Sequence, residues 1–189
     1  VFDYFIRKNP FANGYTVFAG LGPLLEKLEN FKFDVEAINY LQKLNRFKPE
    51  FLDYLKNIEF ICDIFAVKEG EIVFPNEPIV VVTGPIIQAQ IIESLLLNSL
   101  NFQSLIATKT SRIIQSAKGK SVLEFGLRRA QGVDGALSGT RASFIGGCAA
   151  TSNTLAGKNF NIPVSGTMAH SWVMSFETEL EAFERFADL

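Results

Sequence analysis

The chain has 189 residues, 48% of them hydrophobic and 20% charged, with a formal net charge of −2. That length holds one domain or two small ones, with enough apolar side chains for a real core. A near-neutral chain carries no electrostatic footprint for nucleic acid or a membrane surface, and no apolar run reaches the roughly 20 residues that span a bilayer. The most apolar stretch, Ile91 to Leu100, is broken by Glu93, Ser94, Asn98 and Ser99. Cys62 and Cys148 lie far apart without metal-ligand spacing. They read as reduced thiols in a cytoplasmic protein with no metal site.

The chain opens at Val1-Phe2-Asp3 without an initiator Met and closes inside an amphipathic pattern at Phe186 to Leu189, so a piece of a longer protein is expected. Phe2 to Ile6 and Tyr15 to Ala19 read as short strands, separated by turn signals at Asn9-Pro10 and Asn13-Gly14. Leu21, Leu24, Leu25 and Leu28 have helical spacing and predict a helix from Leu21 to Phe31. Asp34 is an N-cap for the next helix, which carries Ile38, Leu41 and Leu44 on one face, and Pro49 begins another with Phe51, Leu52 and Leu55.

The texture then changes. Residues 59–84 are rich in β-branched and aromatic side chains, punctuated by Glu69-Gly70, Pro75-Asn76 and Gly84-Pro85, the pattern of a β-rich module. Ile87 to Leu100 and Ser104 to Ala117 predict two long helices, the first apolar enough to be buried. Lys118-Gly119-Lys120 is a polar hinge, dividing a mixed α+β domain at 1–118 from a second domain at 119–189. Beyond it, strand and helix alternate: Val122 to Phe125, Val133 to Ile145, Ala149-Ala150, Asn153 to Phe160, Val164 to Val173 and Glu177 to Phe186. Such βα alternation predicts a parallel sheet or barrel. About three units fit, whereas a closed eightfold barrel takes about 250 residues. The fold class is therefore α/β: a mixed N-terminal domain followed by an incomplete, TIM-like barrel.

Three clusters in the second domain could carry chemistry. Arg128 and Arg129 follow a strand predicted to be buried, where a guanidinium needs an anion and offers a planar fork for carboxylate or phosphate. A salt bridge to Glu124 or Asp134 would satisfy them equally well. Gly146 to Asn153 is a run of small residues entering a helix, able to present free amides to an anion. Tight helix–strand packing is the commoner use of paired glycines. Gly166-Thr167-Met168-Ala169-His170-Ser171-Trp172 holds the single histidine of the chain, at the end of a predicted barrel strand. A core or surface histidine is the bland alternative. His170 beside Ser171 does not make a serine hydrolase, because adjacent strand residues face opposite ways and no Gly-x-Ser-x-Gly elbow is present.

In order and spacing, the stretches FIRKNPFANGYTVFAGL, EGEIVFPNEPIVVVTGP, LNFQSLIATKTSRI, EFGLRRAQGVDGAL and TSNTLAGKNFNIPVSGTMAHSW resemble the nicotinate phosphoribosyltransferase family. The resemblance implies a mixed N-terminal domain followed by an irregular α/β barrel, and a cytoplasmic homodimer. It implies an enzyme that joins nicotinate to phosphoribosyl pyrophosphate on the way to NAD, coupled to ATP and assisted by Mg²⁺. Residue by residue, His170 matches the histidine that ATP phosphorylates, Thr167 the threonine at the nicotinate site, and Arg128 an arginine lining that pocket. Ser171 and Arg129 flank these positions and are carried over with them. The family has an N-terminal segment before Phe2 and a further arginine and phosphate-binding loop beyond Leu189, so the resemblance implies that this chain holds much of the phosphorylation motif but not the full phosphoribosyl site. Two other readings stay open: the related nicotinamide phosphoribosyltransferase, which LRRAQG and GTMAHSW disfavour, and a non-catalytic piece of such an enzyme.

Overall fold

A computed structural model of the chain describes residues 1–12 and 14–189. Its first part runs β1 (Phe2–Tyr4), β2 (Thr16–Val17), α1 (Leu21–Glu29), α2 (Val35–Lys43), α3 (Pro49–Lys56), β3 (Asp63–Ala66), β4 (Ile72–Val73), β5 (Val80–Thr83) and the long helix α4 (Ile86–Ser116). The Val80-Val81-Val82 run suits a strand paired on both sides. β5 is indeed central, with β1 and β3 antiparallel to it and Val82 facing both Phe2 and Ile64. β2 pairs antiparallel with β4. The two N-terminal strands therefore do not pair with each other but complete the β-rich module from outside. Burial explains this choice: Tyr4 and Phe18 enter one core with Leu24, Val80, Ile92 and Leu100. Of the expected turn between them, Asn13 lies outside the described residues.

The helix expectations hold at their starts. The Asp34 carboxylate accepts the Ala37 amide at 2.7 Å, and Pro49 occupies the first turn of α3. The two long helices expected between Ile87 and Ala117 are a single helix of 31 residues. Asn101-Phe102-Gln103 contains no glycine or proline to stop it. Its internal polar residues mark contacts instead of an end. Thr108 Oγ1 accepts the Val17 amide at 2.9 Å, while Ser104 Oγ accepts the Ala19 amide and donates to the Ala19 carbonyl, both at 3.1 Å. Hydroxyls of α4 thus stand in for a neighbouring strand beside residues 17–19, satisfying backbone groups that burial would otherwise orphan.

One buried contact in this part titrates. Tyr4 donates its hydroxyl to Asn101 Oδ1 at 3.0 Å, and burial pushes its phenol up to about 12. Since the folded state favours the neutral phenol, its contribution to stability is complete below the ordinary value of 10 and is lost as pH rises through about 12. Tyr4→Phe should therefore cost about 1 kcal/mol at neutral pH and should flatten the alkaline loss. Urea unfolding at about pH 8 and about pH 11 checks both.

Lys118 and Gly119 take left-handed backbone angles, φ 50° and 82°, where α4 ends. There follow β6 (Leu123–Glu124), α5 (Gly132–Ile145), β7 (Ala150–Thr151), α6 (Thr154–Phe160), α7 (His170–Val173) and α8 (Glu179–Ala187). β6 and β7 are parallel, with Leu123 opposite Ala150 and Glu124 opposite Thr151, and Val164 joins Thr151 by a further parallel bridge. This is the sense of pairing that βα alternation requires. The strand expected over Val164 to Val173 is reduced to that bridge. Its remainder has no ladder partner among the described residues, and His170 begins a helical turn instead of ending a strand.

Candidate functional site

β6 ends at Glu124 and the chain turns through a single 3₁₀ turn, Leu127–Arg129, closed by the Arg129 amide on the Gly126 carbonyl at 2.8 Å. Arg128 and Arg129 are exposed on this turn, not desolvated at the end of a buried strand. Neither makes an ion pair among the described residues. Glu124 is unavailable to them because its carboxylate is committed elsewhere. Oε1 accepts the Gly126 amide, and Oε2 accepts the hydroxyls of Thr140 at 2.9 Å and Thr151 at 2.7 Å. The salt-bridge alternative to Glu124 is not what forms.

The Glu124 cluster closes on Asn153, which is only 2% exposed. Asn153 donates its backbone amide to Thr151 Oγ1 at 3.0 Å and its side-chain amide to Thr140 Oγ1 at 3.3 Å, while Oδ1 caps α6 at the Ala156 amide. Cys148 nearby is buried, and burial and the charge of Glu124 push its thiol up. The paired glycines before it serve packing. A Cβ on Gly146 would come within 2.6 Å of the Ala107 carbonyl oxygen and 2.8 Å of Thr110 Cβ, so α5 sits hard against α4. At the start of α6 the Asn153 side chain itself accepts the Ala156 amide at 3.2 Å.

Thr167, His170 and Ser171 are exposed. His170 opens α7, two residues before Trp172, whose indole N–H donates to the Ala182 carbonyl at 3.0 Å and whose ring meets Phe176 and Phe186. The α7–α8 pair is pinned by this tryptophan. Among the described residues no hydrogen bond or ion pair joins Arg128 to Thr167, His170 or Ser171. Arg129 does line a cavity of about 330 Å³ between α4 and α5, together with Lys109, Glu124, Gln131 and Thr140. The structure thus places Arg129 beside Glu124 and leaves Arg128 exposed on the same turn, with Thr167, His170 and Ser171 exposed together on the stretch that enters α7.

A second polar centre escaped the sequence reading. Glu69, read there as turn punctuation, accepts the amides of Gly20 at 2.5 Å, Leu21 at 3.1 Å and Gly22 at 3.3 Å, at the start of α1. Its carboxylate also receives Arg141 in bidentate fashion at 2.8 and 2.6 Å. Burial alone raises the Glu69 carboxyl, but the hydrogen bonds from Arg141 and Gly20, the charge of Arg141 and the Gly22 amide outweigh it and hold it below its ordinary value. Arg141 reaches Gln103 at 3.3 Å, lies 5.9 Å from the Phe160 ring centroid, and lines an adjoining cavity of about 670 Å³. A signal was present in the sequence: Arg141 is the one cation of α5, set among Gly, Ala, Ser and Thr.

Among the described residues no group of three or more His, Cys, Asp or Glu side chains could hold a metal ion, and no helix is long and apolar enough to cross a membrane. Residues 1–101 match the family model described as the nicotinate phosphoribosyltransferase (NAPRTase) N-terminal domain. The whole chain is 45% identical over 189 residues to a nicotinate phosphoribosyltransferase of Mycobacterium tuberculosis and 49% identical over 188 residues to that of Bacillus subtilis. It spans about two-fifths of their length, 41% and 38%. Human nicotinic acid phosphoribosyltransferase superposes on 92% of this chain, with 36% of its own length, at a TM-score of 0.85 and 35% identity. With the family model matching more than half of its residues and its full length aligned to these relatives, the chain belongs to the nicotinate phosphoribosyltransferase family.

Proposed function

We propose that the protein carrying this chain is an ATP-coupled nicotinate phosphoribosyltransferase, which forms nicotinate mononucleotide from nicotinate and phosphoribosyl pyrophosphate. The observation that supports it most is the unbroken match of the chain to enzymes named for this activity, with Arg128 exposed and without an ion pair directly after β6. In the reaction the pyridine nitrogen forms a bond to the anomeric carbon of the ribose, and pyrophosphate leaves with the electron pair. The enzyme must orient two anions and absorb developing charge. In this reading Arg128 answers the nicotinate carboxylate, Thr167 hydrogen-bonds at the same pocket, and His170 accepts phosphate from ATP. Arg129 and Ser171 flank the two ends. Those two segments, the Leu127–Arg129 turn and residues 167–171, converge in the assembled enzyme in this reading, and a homodimer in the cytoplasm belongs to the same proposal. The described residues do not make a Mg²⁺ cage, so the metal would arrive on the substrate phosphates, as Mg²⁺ commonly does.

The test is the substrate's charge. In the protein at its full natural length, Arg128→Ala should weaken nicotinate binding about 10- to 100-fold, the loss expected for a charge-assisted pair, and leave nicotinamide binding unchanged. Isothermal titration with each pyridine measures this. Equal losses for both would show Arg128 to be structural, and a preference of the unaltered protein for nicotinamide would favour the sister activity.

A further inference from the structure

We propose that Glu124 is a positioning residue for the Leu127–Arg129 turn, and through it for the substrate-carboxylate cation; this rests on the reading of Arg128 given above. A carboxylate accepts hydrogen bonds and never donates them. At Glu124 both oxygens are occupied. Oε1 holds the Gly126 amide, the residue whose carbonyl in turn closes the turn through the Arg129 amide. Oε2 takes the hydroxyl protons of Thr140 from α5 and Thr151 from β7. Each hydroxyl, having given its proton to Glu124, is left as an acceptor, and each accepts from Asn153. The direction of both threonine hydroxyls is therefore set by one side chain.

The backbone of Glu124 repeats the link, since its carbonyl accepts the Ser152 amide at 3.0 Å across the parallel strands. The arginine turn is otherwise exposed and only three residues long. Without the Glu124 carboxylate it would keep its own closing bond but lose the side-chain tie from the Gly126 amide to Thr140 of α5 and Thr151 of β7. A glutamine at this place cannot fully replace the acid. Its amide accepts at one end and donates at the other, so either the Gly126 amide or the threonine hydroxyls lose their acceptor.

The arginines themselves report on the turn, because trypsin cuts after them. In Glu124→Ala of the full-length protein, cleavage after Arg128 and Arg129, read peptide by peptide by mass spectrometry, should accelerate about tenfold or more as the open turn becomes populated. The KM for nicotinate should rise about tenfold with that for phosphoribosyl pyrophosphate little changed, the pattern of lost uniform binding of one substrate. Glu124→Gln should fall between the two. If Glu124→Ala does not fold, Gly126→Ala tests the same contact from the other side. Its backbone angle is ordinary, φ −87°, but its new Cβ would lie 2.8 Å from Glu124 Oε1 and push the carboxylate off the amide. Unchanged cleavage at the two arginines overturns the proposal, whatever the kinetics. Faster cleavage with an unchanged nicotinate KM overturns it too. Arg128→Ala, measured alongside, then decides whether the assignment of Arg128 falls with it or stands alone.

Discussion

Replacing His170 with alanine should abolish phosphorylation of the protein by ATP and remove the stimulation of turnover by ATP, leaving at most a slow ATP-independent reaction. The imidazole suits the role because a neutral ring nitrogen is nucleophilic near neutral pH. In the proposed cycle that nitrogen would attack the γ-phosphorus, ADP would leave with the electron pair, and the resulting P–N bond would be readily cleaved. His170 is the single histidine of the chain, exposed at the first residue of α7 and so reachable by a bulky phosphate donor. Incubating the full-length protein with γ-labelled ATP should give label that is lost in acid and kept in base, and a peptide map should place it on the segment with His170. Label that persists in His170→Ala would mean that another residue accepts the phosphate.

The second large effect is expected at Glu69. Its removal orphans the amides of Gly20, Leu21 and Gly22 and strands the Arg141 guanidinium, both partners of that pair being only 18% exposed. Glu69→Ala should therefore destabilise the protein by about 3 kcal/mol, the cost typical of breaking one side of a buried ion pair. Chemical denaturation measures it. The pair also sets an acid limit. Because the folded state holds the Glu69 carboxyl below its ordinary 4.5, the stability it contributes is present above that value and is lost as pH falls through the lower folded one. Glu69→Gln should lose that acid-side slope, and a slope unchanged by the substitution would assign it to other carboxylates.

Local chemistry was legible in the sequence wherever the signal was local. The Asp34 cap, the proline start of α3, the valine strand and the polar turn at Lys118-Gly119 each depend on neighbours a few residues away, and each formed. Pairing partners were not legible. Phe2 to Ile6 and Tyr15 to Ala19 read as short strands on either side of a turn, with nothing to name their partners; β1 joins β5 and β2 joins β4, with Tyr4 and Phe18 buried in one core. The polar residues Ser104 and Thr108 looked like the start of a new helix and proved to be the middle of one, used for contacts to residues 17 and 19. At the candidate site, the arginine pair and the histidine stood out by residue type. Glu124 was noticed only as a partner for the arginines, whereas its true partners, Thr140 and Thr151, lie 16 and 27 residues away.

Helix α4 bears on how such a gene can be cut and rejoined. At 1.5 Å per residue its 31 residues make a rod about 46 Å long. Its earlier portion packs Ile92, Leu96 and Leu100 into the core of the β-rich module, and its later portion, at Ala107 and Thr110, is the floor on which Gly146 of α5 rests. Arg141, bonded to Gln103 of the same rod, clasps Glu69. The change of composition at residues 118–120 is therefore a poor seam for recombination. A chimaera joined there would pair α5 with a floor shaped for a different glycine and a guanidinium with a carboxylate it did not come with. A hybrid that keeps Glu69 with Arg141, and Ala107 and Thr110 with Gly146, from one parent avoids both mismatches.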